Sequence, residues 1–242
     1  MNNIEDKIKN GYQLDLPKLY QETLQIYKKS VLVSGLILFL VAIIVFMVYA
    51  IGLFSYFETP FPTEQQIEQF NINHLSNPQL IQIGFFQALI FGFFGVVSAG
   101  LLRLCESVDK QQLPTLEIVF KVFTQKQGIQ VFFFAFIFQV LLSAITFVFD
   151  SLSVFLVSWF IMILAYTLFI LVIPLIVFEK YSIRKAISSS IKLVNQRPFM
   201  LLSLVMFHSV FAVAGIFFLL IGVFATFPVW YAFMYSLYKQ FS

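Results

Sequence analysis

Few residues in this 242-residue chain have side chains that could carry out chemistry. The chain has two histidines, His74 and His208, and one cysteine, Cys105. A protein site for zinc or iron usually draws on several imidazole, thiolate or carboxylate ligands held close together. Three residues scattered along the sequence provide neither the number nor the spacing, and Cys105 has no second cysteine with which to form a disulfide. The sequence therefore predicts no metal, no other cofactor and no catalytic group.

Three polar residues interrupt otherwise apolar stretches and are the candidates for an intramembrane site: Gln87, Gln139 and His208. Polar residues inside a membrane often mark a transport pathway. They also form hydrogen bonds between packed helices, worth about 0.6–2 kcal/mol. No Asp, Glu, Lys or Arg lies at the centre of an apolar stretch, which weakens the case for proton- or sodium-coupled transport. Packing is the favoured interpretation, and a facilitator or lipid pathway is the alternative.

These residues lie in six apolar stretches, each long enough to form a membrane helix. Hydrophobic residues make up 60% of the chain and charged residues 11%, whereas soluble domains have about 45–50% and about 25%. A helix needs roughly 17–25 residues to cross about 30 Å of hydrocarbon. We expect an all-α polytopic membrane protein with a cytoplasmic segment at 1–30, which contains an amphipathic helix, and one six-helix domain at 31–242. The stretches are residues 31–54, 79–102, 129–149, 154–178, 199–220 and 222–238.

The distribution of charge along the chain predicts which loops are cytoplasmic. All fifteen Lys and Arg residues lie before the first stretch, between the second and third, between the fourth and fifth, or after the sixth. The other loops contain Glu58, Glu64, Glu68 and Asp150 and no basic residue. Because cytoplasmic loops are enriched in Lys and Arg, we expect both termini on the cytoplasmic side of a bacterial inner membrane. The net charge of +3 then reflects topology and does not indicate nucleic-acid binding.

No polar loop separates the fifth and sixth stretches. As one helix, residues 199–238 would be about 60 Å long, which is twice the thickness of the hydrocarbon core. Gly215 and Gly222 flank the most suitable turn. We therefore expect a hairpin whose turn lies near Phe217–Gly222.

The cytoplasmic segments before the first, third and fifth stretches share a pattern of bulky apolar and polar residues that ends in a basic cluster. They lie around Leu24, Phe120 and Ile191. In the third segment, apolar residues recur every three or four positions between residues 183 and 194, and Ser182 is placed as an N-cap. The pattern predicts three parallel repeats, each a surface helix followed by a transmembrane hairpin. The alternative is that any loop leading into a membrane helix has this composition.

Two groups of residues are candidate interaction surfaces. A basic group on the third segment either gathers anionic lipid headgroups, at about 1 kcal/mol per charge, or only sets the orientation of the chain: Lys180, Arg184, Lys185, Lys192 and Arg197. A face of small residues on the second stretch allows close approach of another helix. We expect its partner inside the monomer. This face consists of Gly84, Ala88, Gly92, Gly95 and Ala99.

A run of residues late in the chain carries a family resemblance. Pro174 lies late in the fourth stretch, Glu179 follows it, and a serine-rich segment that begins with Ala186 leads to Asn195. The last stretch adds Pro228, with Tyr235 or Tyr238 near its end. This combination resembles poorly characterised bacterial six-helix membrane protein families that are related to the membrane domain of glycerophosphoryl diester phosphodiesterase. The resemblance implies a fold and a membrane location. It implies no phosphodiesterase activity, because the catalytic barrel of those relatives has no counterpart in this sequence.

Together the patterns favour a non-enzymatic integral membrane protein that has a structural role, interacts with lipids or serves as an accessory subunit of a membrane complex. The expected partners are membrane lipids with anionic headgroups on the cytoplasmic side and a membrane protein. The alternative is a small-molecule or lipid transporter built on the threefold repeat. A transporter requires a polar, water-accessible cavity at Gln139 and His208, whereas an accessory subunit requires tightly packed hairpins.

Overall fold

The computed structural model describes residues 3–57, 63, 77–152, 154–217 and 221–242, which form helices and connecting turns with no strand among them. The first half contains α1 (Asn3–Asn10), α2 (Leu16–Phe57), α3 (Asn77–Asp109), α4 (Leu116–Lys121) and α5 (Lys126–Ser151), and α4 continues into a 3₁₀ turn at Val122–Thr124. The second half contains α6 (Phe155–Phe169), α7 (Val172–Phe178), α8 (Ile183–Gln196), α9 (Pro198–Val213), α10 (Ile221–Thr226) and α11 (Pro228–Lys239). A 3₁₀ turn at Ala214–Phe217 follows α9.

Five helical segments are long and apolar enough to cross a membrane, as expected of an all-helical, multi-pass membrane protein. The predicted sixth stretch, residues 222–238, is divided between α10 with 6 residues and α11 with 12 residues. Neither helix alone reaches the roughly 17 residues that a crossing needs. The five qualifying segments are Leu16–Ile51, Ile83–Asp109, Lys126–Phe149, Leu156–Phe178 and Pro198–Phe217.

Prolines explain where the helices in the second half are divided. Proline lacks a backbone N–H and its ring clashes with the carbonyl four residues earlier in a helix. The fourth qualifying segment is accordingly interrupted just before Pro174, between α6 and α7. Pro228 stands in the first turn of α11, directly after the break that ends α10, and Pro198 starts α9. The first helical turn suits proline because its N–H would have no helical partner there.

The chain reverses direction between α9 and α10, as the sequence predicts. The Thr226 hydroxyl donates to the carbonyl oxygen of Ala212 at 2.6 Å, and the backbones of Gly215 and Gly222 are in direct contact. Only glycine allows this approach, because a Cβ on Gly215 would overlap the Gly222 carbonyl. These contacts define an antiparallel pair. Part of the turn itself, residues 218–220, lies outside the described residues.

The three segments with a shared sequence pattern, predicted to be cytoplasmic, differ in structure. Leu24 lies inside α2, which runs unbroken into the first qualifying segment, so the separate surface helix predicted around Leu24 is wrong. No glycine or proline between residues 18 and 34 interrupts this helix. The N-terminal segment instead has α1 as its short amphipathic helix. Phe120 lies in the six-residue α4, and Ile191 lies in the amphipathic α8, whose N-cap is Ser182 as predicted.

The C-terminal helix α11 occupies the centre of the packed core. Its side chains from Val229 to Leu237 are buried apart from Trp230, and it packs against α2, α3, α7 and α9. Large apolar side chains are exposed on the outer part of α2 beyond Leu32 and along α5 and α6. Exposed apolar side chains of this kind suit contact with lipid, since water would not tolerate so large an apolar surface.

Candidate functional site

The amide of Gln139 is bound within its own helix. Its side chain is buried, and Nε2 donates to the Ser143 hydroxyl on the next turn of α5 at 3.2 Å. A hydrogen bond between residues four apart satisfies a polar group without joining two helices. Gln87 is half-buried on α3. The expectation that Gln139 faces the protein interior is met by its burial, whereas its described partner lies on the same helix and not on a neighbouring one.

The imidazole of His208 is packed between two aromatic rings. The ring of Phe233 on α11 stacks at 3.7 Å between centroids, and the ring of Tyr20 on α2 stacks at 5.6 Å. His208 Nδ1 lies 2.9 Å from the Leu204 carbonyl oxygen on the preceding turn, to which it donates in the tautomer protonated at Nδ1. His208 therefore joins α2, α9 and α11 through its ring faces, in the manner of a core aromatic residue.

Two open surface grooves in the described part of the chain lie away from these residues. One, of about 460 Å³, is lined by Lys29 and by the loop after α3, including Leu113. The other, of about 380 Å³, lies between the end of α1 and the junction of α8 with α9. Neither is lined by Gln87, Gln139 or His208.

Part of the small-residue face of α3 packs against α5. A Cβ on Gly95 would lie 2.6 Å from the Ala135 Cβ, and one on Gly92 would lie 2.8 Å from the Phe132 ring. Ala88 and Ala99 are fully buried, whereas a Cβ on Gly84 would meet nothing within 4 Å. The sequence analysis missed Gly100, where a Cβ would lie 2.5 Å from the Val119 side chain of α4. Its spacing of five residues from Gly95 departs from the helical pattern that identified the others.

The amphipathic helix α8 buries its apolar side against the protein and not against lipid. Ala186, Leu193 and Val194 are buried, and α8 packs on α6 and α7. The Ser190 hydroxyl donates to the Leu168 carbonyl oxygen of α6 at 2.6 Å. The helix bundle therefore covers the apolar face of this amphipathic helix.

The five basic residues predicted on this segment have different surroundings. Lys185 pairs with Glu5 of α1 at 2.7 Å, and this carboxylate raises the pKa of the Lys185 ammonium. Arg197 Nε donates to the Tyr12 carbonyl oxygen at 3.1 Å. Lys180 follows α7 with a left-handed backbone (φ 54°). The remaining two, like these three, are exposed: Arg184 and Lys192.

A second cluster of charges joins three helices near the chain termini and was not found in the sequence. Lys239 at the end of α11 contacts Asp109 of α3 at 3.0 Å and Glu22 of α2 at 3.3 Å. Partial burial disfavours the charged ammonium, but the two carboxylates outweigh it and raise the pKa of Lys239. The Tyr235 hydroxyl donates to Asp109 at 3.0 Å. The only indication of this cluster in the sequence is that acidic residues occur among the basic ones in the segments predicted to be cytoplasmic.

Both terminal segments meet at this face. Lys7 Nζ donates to the Gln240 carbonyl oxygen at 2.7 Å, and the Asp15 backbone N–H donates to the Gln240 side-chain oxygen at 3.3 Å. The Tyr12 hydroxyl donates to the Leu193 carbonyl oxygen at 2.9 Å. Burial raises the pKa of Tyr12 to about 12, although the nearby Arg197 guanidinium acts in the opposite direction. The N-terminal segment is therefore docked by specific bonds to α8 and to the C-terminus.

The described residues contain no group of three His, Cys, Asp or Glu side chains arranged as metal ligands. His74 lies outside the described residues. Cys105 is buried in α3 as a free thiol.

Comparison of the chain with protein-family models, with curated proteins and with solved structures gave no match in any of the three.

Proposed function

We propose that the chain is a non-enzymatic integral protein of the bacterial cytoplasmic membrane that serves as a lipid-interacting or accessory subunit. The observation that carries this proposal is the placement of Gln139 and His208. Both are buried, one is bonded to a serine on its own helix, and the other is stacked between two aromatic rings. Polar groups that line a transport pathway have to face water, whereas these two side chains are packed against other protein groups.

The proposal includes a topology with three helical hairpins and both termini in the cytoplasm. The contacts of Gln240 with Lys7 and Asp15 support it, since terminal segments that touch require an even number of complete crossings between them. The hairpins are α2 with α3, α5 with α6 and α7, and α9 with α10 and α11. Each follows a cytoplasmic helical segment, namely α1 with the start of α2, then α4, then α8.

Thiol labelling of intact cells tests the topology. In a Cys105→Ser background, single cysteines at Asn71 and Ser242 are exposed to a membrane-impermeant maleimide. We expect labelling at position 71 without permeabilisation and labelling at position 242 only after it. Labelling at position 242 in intact cells would contradict cytoplasmic termini.

Water access to the buried polar residues separates the accessory role from the transporter. Gln139→Cys and His208→Cys, each in the Cys105→Ser background, are treated with a small, charged thiosulfonate reagent. We expect both to react far more slowly than the exposed control Lys192→Cys. Reaction of both at rates near that control would demonstrate a water-filled path and would replace this proposal by the transporter alternative.

The partner class is tested by purification in mild detergent. Native mass spectrometry then records which phospholipids and which polypeptides remain bound. An accessory or lipid-interacting protein should retain at least one of these in a defined ratio. Loss of all bound lipid and protein in several mild detergents would argue against the proposal.

A further inference from the structure

The groove between α1 and α9 is lined by two basic side chains, and a hydrogen bond within the fold holds one of them, Arg197. It has a volume of about 380 Å³ and is lined by Lys9, Asn10, Gly11, Tyr12, Gln196 and Arg197. Arg197 Nε donates to the Tyr12 carbonyl oxygen, which fixes the guanidinium. Its two terminal nitrogens retain four N–H groups, and a planar guanidinium presents such groups in the geometry that suits phosphate oxygens.

The position of the groove matches the headgroup layer of a membrane. Arg197 directly precedes α9, which begins one of the qualifying segments at Pro198. Phe199, two residues after Arg197, is 82% exposed and apolar. The exposed Lys9 also lines the groove. A phosphate held between Lys9 and Arg197 would thus have acyl chains continuing along α9.

We propose that this groove binds the phosphate of an anionic phospholipid of the cytoplasmic leaflet. The inference rests on the lipid-interacting role proposed above and names its site. Gln196 supports the wall, because Nε2 donates to the carbonyl oxygens of Lys7 and Ile8 and so holds α1 against α8. Gly11, which also lines the groove, has a left-handed backbone (φ 80°), and no atom lies within 4 Å of its would-be Cβ.

The test compares lipid retention by variants of the full chain. Nanodiscs of phosphatidylcholine with one-fifth phosphatidylglycerol are used, and phosphatidylglycerol retained after extraction is measured by native mass spectrometry. We expect Arg197→Gln and Lys9→Gln each to weaken retention roughly fivefold, as the loss of one headgroup-facing charge does. Lys121→Gln, which removes an exposed charge from α4, is the matched control and should retain phosphatidylglycerol as the parent does.

The outcomes separate the site from the general role. If the parent retains phosphatidylglycerol and both groove variants retain it equally, the groove assignment is wrong while the lipid-interacting role stands. If the parent retains none, the lipid-interacting role itself fails. Displacement of the lipid by millimolar inorganic phosphate would assign the groove to free phosphate instead.

A second, independent observation concerns how deeply the last hairpin, formed by α9, α10 and α11, enters the membrane. Phe224 of α10 packs edge-on against Phe39 of α2, with ring centroids 5.2 Å apart, and the Tyr27 hydroxyl donates to the Ala225 carbonyl oxygen at 2.9 Å. The helix that carries Phe224 begins at Ile221, only three residues earlier in the chain. From Phe39, α2 continues to Phe57, which is about 27 Å further at 1.5 Å per residue.

Helix α3 also extends further than the last hairpin. Ser98 and Tyr231 share a hydrogen bond at 3.3 Å. From Ser98, α3 extends about 31 Å to its first residue, Asn77. From Tyr231, α11 and α10 extend only about 15 Å to Ile221, at 1.5 Å per residue. The apolar part of α2 starts near Val31, so Phe39 lies about 12 Å into a hydrocarbon core of about 30 Å.

The composition of the tip suits this depth. No charged residue occurs from Phe199 to Tyr238, and Phe217 at the end of the 3₁₀ turn is 90% exposed. An exposed phenylalanine at an aqueous loop would be unfavourable, whereas in hydrocarbon it contacts acyl chains. We infer that the hairpin from Pro198 to Lys239 is re-entrant: it enters the cytoplasmic leaflet and returns without reaching the outer surface. The sequence predicts two complete crossings in this region, and the re-entrant hairpin is proposed in their place. The even number of complete crossings that both termini on one side require is then four: α2, α3, α5 and the α6–α7 pair.

Depth-dependent quenching tests the re-entrant hairpin. Phe217→Cys and Leu152→Cys, each with Cys105→Ser, carry a thiol-linked fluorophore in vesicles that contain lipids brominated at shallow or deep acyl positions. Leu152 is the control, because it ends the α5–α6 hairpin and is 65% exposed. We expect strongest quenching of the label at 217 by deep bromines. Shallow quenching at both positions, with external thiol reagents reaching both, would overturn the inference.

Discussion

At the scale of single residues, aromatic stacking decides what the one described histidine does. A histidine in the middle of a membrane segment suggests a pathway, but the faces of the His208 ring are occupied by Phe233 and Tyr20. Its ring nitrogen Nδ1 bonds within α9. The imidazole therefore stabilises the protein mainly through packing contacts and less through its polar atoms. An apolar side chain of similar size can replace most of those contacts.

We expect His208→Leu to change the free energy of unfolding by no more than about 1 kcal/mol, since hydrogen bonds within membrane proteins average near that value or less. Phe233→Ala should cost about 3–5 kcal/mol, because it leaves a cavity in the core. Thermal unfolding in detergent measures both. Equal and large losses in the two variants would indicate that the imidazole has a polar role that the contacts do not account for.

Tyr12 provides a prediction on alkaline pH. Its pKa is raised from about 10 to about 12 because burial disfavours the phenolate. The stabilising contribution of the neutral phenol is complete below pH 10 and is lost as the pH rises towards 12. We expect α1 to lose protection from hydrogen exchange between pH 10 and 12 relative to pH 9. Tyr12→Phe, which cannot ionise, should show a smaller change. An identical alkaline loss in that variant would exclude Tyr12 as the cause.

At the scale of elements, close approach between helices is controlled by single glycines. Gly95 lets α3 meet α5, whereas Gly84 on the same face has open space around it. The two positions look equivalent in the sequence because both fit the same spacing along α3. Only the crossing point of the two helices distinguishes them, since a helix touches its partner over a limited length.

The two glycines should respond in opposite directions to the same change. Gly95→Ala forces its Cβ against Ala135 and should destabilise the protein by about 1–3 kcal/mol. Gly84→Ala should stabilise it by about 0.5–1 kcal/mol, because alanine loses less conformational freedom in a helix. Denaturation in mixed micelles measures both. Stabilisation by both substitutions would show that α3 and α5 are further apart than described.

At the scale of the whole molecule, one face of the helix bundle holds the two ends of the chain together. Lys239 joins α11 to α2 and α3, and Gln240 receives hydrogen bonds from the N-terminal segment. The helices are therefore fastened at the end where α11 is buried. The outer parts of α2 and α5 present apolar side chains to the membrane instead.

Removing the Lys239 ammonium should loosen this face. Lys239→Gln leaves Asp109 and Glu22 facing each other without a cation, and we expect a loss of about 1–2 kcal/mol, less than for a fully buried pair because water still reaches these groups. Lys121→Gln, at an exposed position, should change stability by less than about 0.5 kcal/mol. Because the pKa of Lys239 is raised, the difference between parent and Lys239→Gln should be complete below pH 10 and shrink above it. A constant difference at all pH values would assign the effect to packing.

The sequence by itself determined that this is a multi-pass helical membrane protein, and it predicted which loops are cytoplasmic. Hydrocarbon excludes charge, so apolar length and the position of Lys and Arg report directly on which segments enter a membrane. The residues that permit the last turn, Gly215 and Gly222, were also identifiable, because few residues other than glycine allow two backbones to touch. These are local properties that a chain carries regardless of its partners.

The tertiary structure decided which polar and apolar groups face one another. Sequence spacing predicted that α8 is an amphipathic surface helix, but it did not show that α6 and α7 cover its apolar side. It gave no sign that Lys239 would meet Asp109 and Glu22, residues more than a hundred positions away. The depth of the last hairpin likewise follows from the register of α10 against α2. Hydropathy measures how favourably a segment transfers from water into lipid. An apolar surface can be buried equally well against other helices, and only the packed structure shows whether a given surface contacts lipid or protein.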